Sequence, residues 1–165
     1  MKAIIPAAGI GERLRPLTLT RSKVLLPVAG KPIIGHIYDR LALTGIKDVT
    51  VIIGYYGEQV RDYSLKNYDF NFTFIEQLEQ CGLGHAVGLG LTPEDGPVMI
   101  ILGDVILELD FKGLSSRSEN LIGVMPVDDP RRFGIVEMKD GKVTRLVEKP
   151  SSSTSNLAIA GIYLI

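Results

Sequence analysis

The first strand-like run of the chain opens into a long loop, and together they read KAIIPAAGIGERLRPLTLTRSKVLLPVAGKP over residues 2–32. The apolar segment 2–6 has the composition of a buried strand. The loop that follows carries two glycines and four cations, namely Gly9, Gly11, Arg13, Arg15, Arg21 and Lys23. Free backbone N–H groups at a strand end, with guanidinium and ammonium groups beside them, are suited to bind phosphate. The stretch therefore predicts a strand that leads into an anion-binding loop.

The local pattern leaves two interpretations of this loop open. Without a Cβ atom, Gly9 and Gly11 let the backbone approach a phosphate closely, while Arg13 can form paired hydrogen bonds to it. Alternatively, the glycines form only a tight turn and the cations form only a solvated surface. A dinucleotide-binding fingerprint and a Walker A loop are both excluded, because Leu14 occupies the third small position and no Gly-Lys-Ser/Thr follows Gly9 at the required spacing.

Apolar runs alternate with segments of helical period along the first hundred residues. We expect strands at 2–6, 48–54, 71–76 and 97–102. Between the first two strands, apolar side chains recur at spacings of three and four, at Ile33, Ile34, Ile37, Tyr38 and Leu41. Gly45 suits the end of this helix. The βαβαβ order predicts an α/β fold with a largely parallel sheet, helices on both faces, right-handed crossovers and ligands at the carboxyl ends of the strands.

The second half of the chain predicts a mixed sheet. Shorter extended pieces occur at 121–127, 133–138, 142–147 and 157–165. The dipeptide Asp140-Gly141 lies between two of them and predicts a hairpin turn. The apolar last piece would lie uncovered if nothing followed it, and this leads us to expect a domain over 1–165 that is incomplete at its C-terminal end.

Composition narrows the class of protein. With 165 residues, 45% of them hydrophobic, the chain can bury one core, and its net charge of −1 gives no global bias toward nucleic acid or anionic membrane. No apolar run reaches the ~18 residues that span a bilayer, so a cytoplasmic protein without membrane or nucleic-acid partners is expected. Cys81 is the only cysteine, which excludes an internal disulfide, and two histidines give no zinc-ligand spacing.

Residues 7–32 resemble the signature of the sugar-phosphate nucleotidylyltransferases, which join a nucleoside triphosphate to a sugar 1-phosphate. The match includes Arg13, Leu14, Pro16, Leu17, Thr18, Ser22, Lys23, Leu26, Pro27, Lys31 and Pro32. Glu12 stands where the family usually has threonine, which sets a carboxylate beside the expected triphosphate. The resemblance implies a three-layer, Rossmann-like nucleotide-diphospho-sugar transferase fold. It also implies that Ala7, Ala8, Gly9 and Gly11 contact the nucleotide.

Asp104 follows the apolar run 98–103 and should emerge beside the glycine loop, at the carboxyl end of a central strand. Mg²⁺ in proteins commonly takes one or two carboxylates together with phosphate oxygens and waters. A lone Gly-Asp more often makes only a turn, but the resemblance implies that Asp104 is the first metal-binding carboxylate. Glu108 and Asp110 have no family counterpart and are expected to be surface charges.

The segment 76–86 supplies a candidate base pocket. In the family, a Gln five residues before a Gly reads the pyrimidine edge, and Gln77 with Gly82 matches that spacing. A side-chain amide offers the donor and the acceptor that uracil and thymine require. Gly-Leu-Gly-His-Ala is similar to the uridylyltransferase form, whereas the first signature is closer to thymidylyltransferases, so UTP and dTTP both stay open. His85 is expected to pack at a helix start rather than to donate a proton, and Cys81 is expected to have no role.

Two further segments resemble the family's sugar-binding elements. These are Arg-Phe-Gly-Ile-Val at 132–136 and Val-Glu-Lys-Pro at 147–150. The resemblance implies that Gly134 and Glu148 meet sugar hydroxyls and that Lys149 meets the sugar phosphate. Residues 156–165 are similar to the family strand Asn-x-Ala-x-x-Gly-Ile-Tyr, so the resemblance covers the whole chain.

The implied reaction is in-line displacement at the α-phosphorus by an oxygen of the sugar 1-phosphate, for which glucose 1-phosphate is the expected acceptor. Arg13 and Mg²⁺ on Asp104 would stabilise the departing pyrophosphate, and Lys23 would neutralise the transition state. Family members continue to a second metal-binding Asp and often to a dimer-forming region, so a homo-oligomer is also expected. The alternatives are a non-catalytic nucleotide-binding module, and a guanylyl or adenylyl member of the family.

Overall fold

The fold is described from a computed structural model of residues 1–117 and 119–165. The ten strands assigned in these residues are β1 Lys2–Pro6, β2 Pro27–Val28, β3 Lys31–Pro32, β4 Asp48–Ile53, β5 Asn71–Glu76, β6 Val98–Ile101, β7 Leu121–Pro126, β8 Gly134–Lys139, β9 Lys142–Glu148 and β10 Leu157–Leu164. The helices are α1 Ile33–Ala42, α2 Gly57–Asn67, α3 Leu83–Gly90 and α4 Phe111–Ser115. Short 3₁₀ turns lie at Glu12–Leu14, Lys23–Leu25 and Pro130–Arg132.

Eight strands form one sheet in the order β5-β4-β1-β6-β10-β8-β9, with β7 also paired to β10. The pairs β1 with β4, β1 with β6 and β4 with β5 are parallel. The four strands predicted in the first half therefore lie side by side, and their carboxyl ends share one edge. The predicted α/β class, with a mostly parallel sheet that becomes mixed, is confirmed.

β10 joins the parallel half of the sheet to the antiparallel half. Its end pairs antiparallel with β6 through Ile162 opposite Ile101, and Ala158 pairs with Ile135 of β8. β7 runs antiparallel along it on both sides of an irregularity between Ile159 and Tyr163. The backbone of this last apolar strand is thus paired with three neighbouring strands, β6, β7 and β8.

The alternation of side chains along β1 divides the core into two layers. Ala3 and Ile5 face one cluster, which includes the apolar stripe of α1. Ile4 faces a second, smaller cluster on the opposite side, together with Ala86 of α3. All three β1 side chains are fully buried. Because successive strand residues point to opposite faces, this central strand is covered by helices on both sides, as predicted.

The predicted hairpin at Asp140-Gly141 is confirmed. Both residues have positive φ, 51° and 75°, and they join the antiparallel strands β8 and β9. Two-residue hairpin loops of this kind need positive φ at both positions, which Asp-Gly tolerates well. Within the described residues, helices combining the length and apolar character of a membrane span are absent.

Candidate active site

The carboxyl end of β1 is held tightly between its two neighbours. Ala7 N donates to Ile52 O at 2.8 Å, and Gly103 N donates to Pro6 O at 3.0 Å. A Cβ atom on Gly103 would lie 2.8 Å from Pro6 O, and one on Gly54 would lie 2.8 Å from Ala8 O. Both distances are too short for real side chains, so glycine at these two positions lets the neighbouring strands close around residues 6–8.

The loop after β1 turns back on itself at Gly11. This residue has a φ of 71°, and a Cβ atom there would lie 3.0 Å from side-chain carbons of Lys23 and Thr18. The hydroxyl of Thr18, which is buried, donates to Gly11 O at 2.9 Å. The glycine therefore supplies both the left-handed conformation and the space that bring Lys23 against the start of the loop.

The first turn of α2 binds the backbone of the same loop just before Lys23. Tyr56 Oη donates to Leu19 O at 2.7 Å, and Gln59 Nε2 donates to Thr20 O at 3.0 Å. Gln59 Oε1 accepts from Ser22 N at 3.3 Å, so one side-chain amide contacts the backbone on both sides of Arg21. Sequence reasoning missed Gln59 and Tyr56, because no local spacing connects them to the loop.

A cleft of about 230 Å³ opens at the carboxyl edge of the sheet. Seven residues that the sequence singled out line it together: Ala7, Ala8, Gly9, Lys23, Gln77, Gly82 and Asp104. Sequence reasoning did not select the other lining residues: Pro6, Val24, Gln80, Leu83, Ala86 and Leu102. The glycine loop, the candidate base pocket and the candidate metal ligand thus meet in one concave site, as expected for an open α/β sheet.

Lys23 and Asp104 form an ion pair within this cleft. Lys23 Nζ contacts Asp104 Oδ2, and the two side chains are 25% and 40% exposed. Asp104 lies shortly beyond the end of β6, at the edge where it was predicted. Glu108 and Asp110 are both exposed, and Asp110 caps α4 by accepting from Gly113 N. The cleft therefore presents a cation and a carboxylate side by side.

The segment between β5 and α3 closes the opposite side of the cleft. Gln77 is 8% exposed, and its backbone N donates to Ile53 O at 2.8 Å. Its Nε2 lies 3.0 Å from His85 Nδ1, and Gln80 Nε2 donates to Ala8 O at 3.0 Å. Gly82, with a φ of 88°, is the N-cap residue of α3. His85 lies in the first turn of this helix, where it was expected, and its ring contacts Gln77.

Arg13 is not among the residues that line the cleft. It lies in the 3₁₀ turn Glu12–Leu14, and its side chain is exposed. Glu12 is exposed too, and its Oε1 lies 4.0 Å from a guanidinium nitrogen of Arg15. The carboxylate that departs from the family pattern therefore has a cation nearby on the same turn.

The predicted sugar-binding residues lie together but outside the lining of the cleft. Gly134 and Glu148 are opposite each other in the β8–β9 pair, and Lys149 Nζ lies 3.3 Å from Glu148 Oε1. Burial, with the nearby Glu148 carboxylate, raises the pKa of Tyr163. Tyr163 packs on the same core cluster as Ala86 of α3. Since Ala86 also lines the cleft, Tyr163 and the cleft are on the same face of the sheet.

Asp104 has the chemistry of a magnesium ligand, a hard oxygen donor that is partly exposed at a cleft. In the described part of the chain, no three or more His, Cys, Asp or Glu side chains come together as a metal-binding group. A single carboxylate still fits Mg²⁺ where substrate phosphates and waters complete the octahedron. The donor set therefore fits a metal that arrives with a nucleotide better than one held by protein alone.

Comparison with known proteins identifies the family. A family model described as nucleotidyl transferase matches residues 2–165, and the chain belongs to this family. The resemblance of the amino-terminal motif is thereby confirmed.

Individual relatives differ in what their names say they act on. The chain is 39% identical over 170 residues to the bifunctional protein GlmU of Methanococcus vannielii, covering 99% of the chain and 40% of that protein. It is 34% identical to the UTP–glucose-1-phosphate uridylyltransferase AglF of Haloferax volcanii, covering 99% of the chain and 71% of AglF. The chain spans about 40% of the length of the GlmU proteins that it matches.

A solved structure shares the fold over nearly the whole chain. It is a Bacillus anthracis protein assigned as a glucose-1-phosphate thymidylyltransferase, crystallised with sucrose. The TM-score is 0.89 at 33% identity, and the match covers 99% of the chain and 70% of that protein. This similarity agrees with the three-layer fold that the sequence implied.

Proposed function

We propose that this protein transfers a nucleotidyl group from UTP or dTTP to a sugar 1-phosphate, releasing pyrophosphate and forming a nucleotide sugar. Glucose 1-phosphate is the proposed acceptor. The observation that carries the proposal is the Lys23–Asp104 ion pair in a cleft that the glycine loop and Gln77 also line. Membership of the nucleotidyl transferase family gives this arrangement its chemical context.

The nucleotide is proposed to lie along the cleft from the glycine loop to Gln77. Ala7 and Ala8 are buried and Gly9 is exposed, so the loop backbone faces the opening at Gly9. Among residues 1–117 and 119–165, no atom lies within 4 Å of a Cβ added to Gly9, which leaves room for a phosphate there. Gly11 keeps the following turn compact, and Gln77 with Gly82 would contact the base.

Lys23 is proposed to act on the reacting phosphate. An oxygen of the sugar 1-phosphate attacks the α-phosphorus, the bond to the bridging oxygen breaks, and pyrophosphate leaves with the electron pair. Negative charge spreads over the phosphoryl oxygens during this step, so a preorganised ammonium group lowers the barrier. Arg13, exposed at the loop, is proposed to contact the departing pyrophosphate.

The sugar 1-phosphate is proposed to approach from β8 and β9. Glu148 and Gly134 would meet the sugar hydroxyls, and Lys149 would hold the phosphate that attacks. The 3.3 Å contact between Lys149 and Glu148 keeps the two side chains together, and both are largely exposed to an incoming substrate. Mg²⁺ held by Asp104 would neutralise charge on the triphosphate when bound.

Pyrophosphate release with UTP or dTTP and glucose 1-phosphate tests this proposal. We expect Lys23→Ala and Asp104→Ala each to reduce turnover by at least about 100-fold, because each removes a charge that the reaction needs. Lys47→Ala is the matched control, since Lys47 is exposed at the opposite edge of the sheet, just before β4. Near-normal pyrophosphate release from either cleft variant would refute the role of that residue.

A non-catalytic nucleotide-binding module is the second candidate. It is favoured by the lack of a further carboxylate, His or Cys cluster around Asp104 in the described residues. Calorimetry with UTP and dTTP, alongside the turnover assay, separates the two candidates. Binding without pyrophosphate release would select the module, whereas release would select the enzyme, and the ratio of the two rates would identify the preferred nucleotide.

A further inference from the structure

The hydrogen bond between Gln77 and His85 fixes the direction of the Gln77 amide. Gln77 Nε2 lies 3.0 Å from His85 Nδ1. An amide nitrogen has donors only, so Nδ1 must be the acceptor, and the proton of the neutral ring is on Nε2. In this arrangement, His85 accepts a hydrogen bond from the nitrogen of the Gln77 amide, and the oxygen of the amide stays available for another partner.

The oxygen of Gln77 faces a different environment from the nitrogen. Among the residues that the structure describes, none donates a hydrogen bond to Gln77 Oε1, and the atom is not sealed from solvent. Gln77 lines the cleft, whereas His85 does not. The end of the amide that is left to contact a ligand in the cleft is therefore its oxygen.

A hydrogen-bond acceptor at this position distinguishes bases by whether one ring nitrogen carries a hydrogen. Uracil, thymine and guanine carry a ring N–H on the edge that pairs with other bases, whereas cytosine and adenine carry a lone pair there. A carbonyl oxygen bonds the first group and repels the second. A glutamine free to rotate offers either its oxygen or its nitrogen, because the terminal torsion has two nearly equivalent states.

We propose that His85 is a positioning residue for base selection, which holds the Gln77 amide with its oxygen toward the cleft and so favours nucleotides with a ring N–H. This inference rests on the proposed function, because it requires the base to bind beside Gln77. His85 acts through Gln77 and does not itself touch the nucleotide. Its place in the first turn of α3, just after the cleft residues Gly82 and Leu83, keeps its ring beside the amide.

Equilibrium binding of UTP and CTP to the purified chain tests the inference. The two nucleotides have the same phosphates and ribose, so the ratio of their dissociation constants reports contacts to the base alone. We expect the wild type to bind UTP more tightly. His85→Phe keeps a ring of similar size but removes Nδ1, and should reduce the CTP-to-UTP ratio about tenfold.

The other histidine of the chain provides a matched control. The ring of His36 bonds Val28 O at 2.9 Å, in the small hairpin before α1, and His36 does not line the cleft. His36→Phe introduces the same change of chemistry away from Gln77. It should leave the ratio of dissociation constants unchanged.

A rescue experiment separates orientation from a merely structural role. In the double variant Gln77→Glu with His85→Phe, the carboxylate presents only oxygen atoms, whichever way it turns. Its negative charge should weaken the binding of both nucleotides, but the preference for UTP over CTP should return. If His85 acted only by supporting α3, the double variant would stay as unselective as His85→Phe.

Each outcome decides a separate point. If the wild type binds none of UTP, dTTP and CTP, both the proposed function and the inference fail. If the wild type prefers UTP and His85→Phe keeps the full preference, the inference fails while the proposed function stands. A wild-type preference for CTP would show that the amide nitrogen faces the base, and would also overturn the inference.

Discussion

Single residues in the amino-terminal loop determine whether the cleft can form. Gly11 combines a φ of 71° with only 3.0 Å between an added Cβ and the side chains of Lys23 and Thr18. Glycine tolerates both constraints, whereas any residue with a Cβ would have to move the segment that carries Lys23. The residue thus links the geometry of the loop to the position of the ammonium group.

We expect Gly11→Ala to lower the free energy of unfolding by about 2 kcal/mol, from the left-handed backbone and the close contacts together. It should also weaken nucleotide binding, because Lys23 is displaced. Chemical denaturation and calorimetry measure the two effects. Gly96→Ala is the control, since Gly96 has no left-handed φ and, among the residues that the structure describes, no atom lies within 4 Å of an added Cβ. Equal stability of the two variants would contradict this account.

Sequence alone singled out most of the charged and glycine positions of the cleft. Lys23 was selected as a cation of the glycine loop, and Asp104 by its place after an apolar run together with the family resemblance, and the structure brings them into one ion pair. Gln59 could not be found in this way, because its two backbone partners in the loop belong to a segment without periodicity. Arg13 was selected too, but it lies outside the cleft lining, since sequence fixes no direction for a side chain on a short 3₁₀ turn.

At the scale of secondary-structure elements, α2 is the support for the Lys23 loop. Three hydrogen bonds run from Tyr56 and Gln59 to backbone groups between Leu19 and Ser22. The loop has only short 3₁₀ turns of its own, so these contacts satisfy backbone groups that no regular element would satisfy. Loss of these hydrogen bonds from α2 should therefore alter the position or mobility of Lys23.

Gln59→Leu removes two of these bonds while keeping much of the side-chain volume. We expect amide hydrogen exchange in residues 19–26 to quicken about tenfold and turnover to fall, with only about 1–2 kcal/mol lost from global stability. Peptide-resolved exchange by mass spectrometry measures the local effect. Glu58→Leu, on the same exposed turn, should leave exchange in this segment unchanged. Faster exchange spread evenly over the chain would instead indicate general destabilisation.

The elements of the first half were predictable because their signals are local. β1 and β5 have the predicted bounds, and the Asp140-Gly141 hairpin follows from the turn chemistry of two residues. The position of β10 was not predictable, because its partners β6, β7 and β8 are chosen by tertiary packing rather than by composition. The sequence pattern of an apolar strand is the same whether the strand lies at the edge of a sheet or in its interior.

At the scale of the whole molecule, the cleft is assembled from segments distant in sequence. The loop after β1, the start of α3 and the residues after β6 all contribute to its lining. A ligand that bridges these segments binds the folded state and has no equivalent site in the unfolded chain. Nucleotide binding should therefore stabilise the entire fold.

We expect UTP at about 100 times its dissociation constant to raise the free energy of unfolding by about 2.7 kcal/mol, and Tm by roughly 5–10 °C. Differential scanning calorimetry measures the shift, with sodium sulfate at equal ionic strength as the control. Gly9→Ala should leave the Tm of the free protein nearly unchanged, because an added Cβ has no neighbour within 4 Å in the described part of the chain, but it should reduce the shift in Tm caused by UTP. An equal shift from sulfate would point to a general salt effect.

The location of β10 also bears on the kinetics of folding. The parallel strands β1, β4, β5 and β6 occur in this order along the chain, with only the short β2–β3 hairpin and the connecting loops and helices between them, so they can assemble without the second half of the chain. β10 instead pairs with β6 although β7, β8 and β9 lie between these two strands in the sequence. Formation of this pair therefore closes a long loop. We therefore expect docking of this strand to be the slow step of folding that unites the two halves of the sheet, and its detachment to be the first step of unfolding.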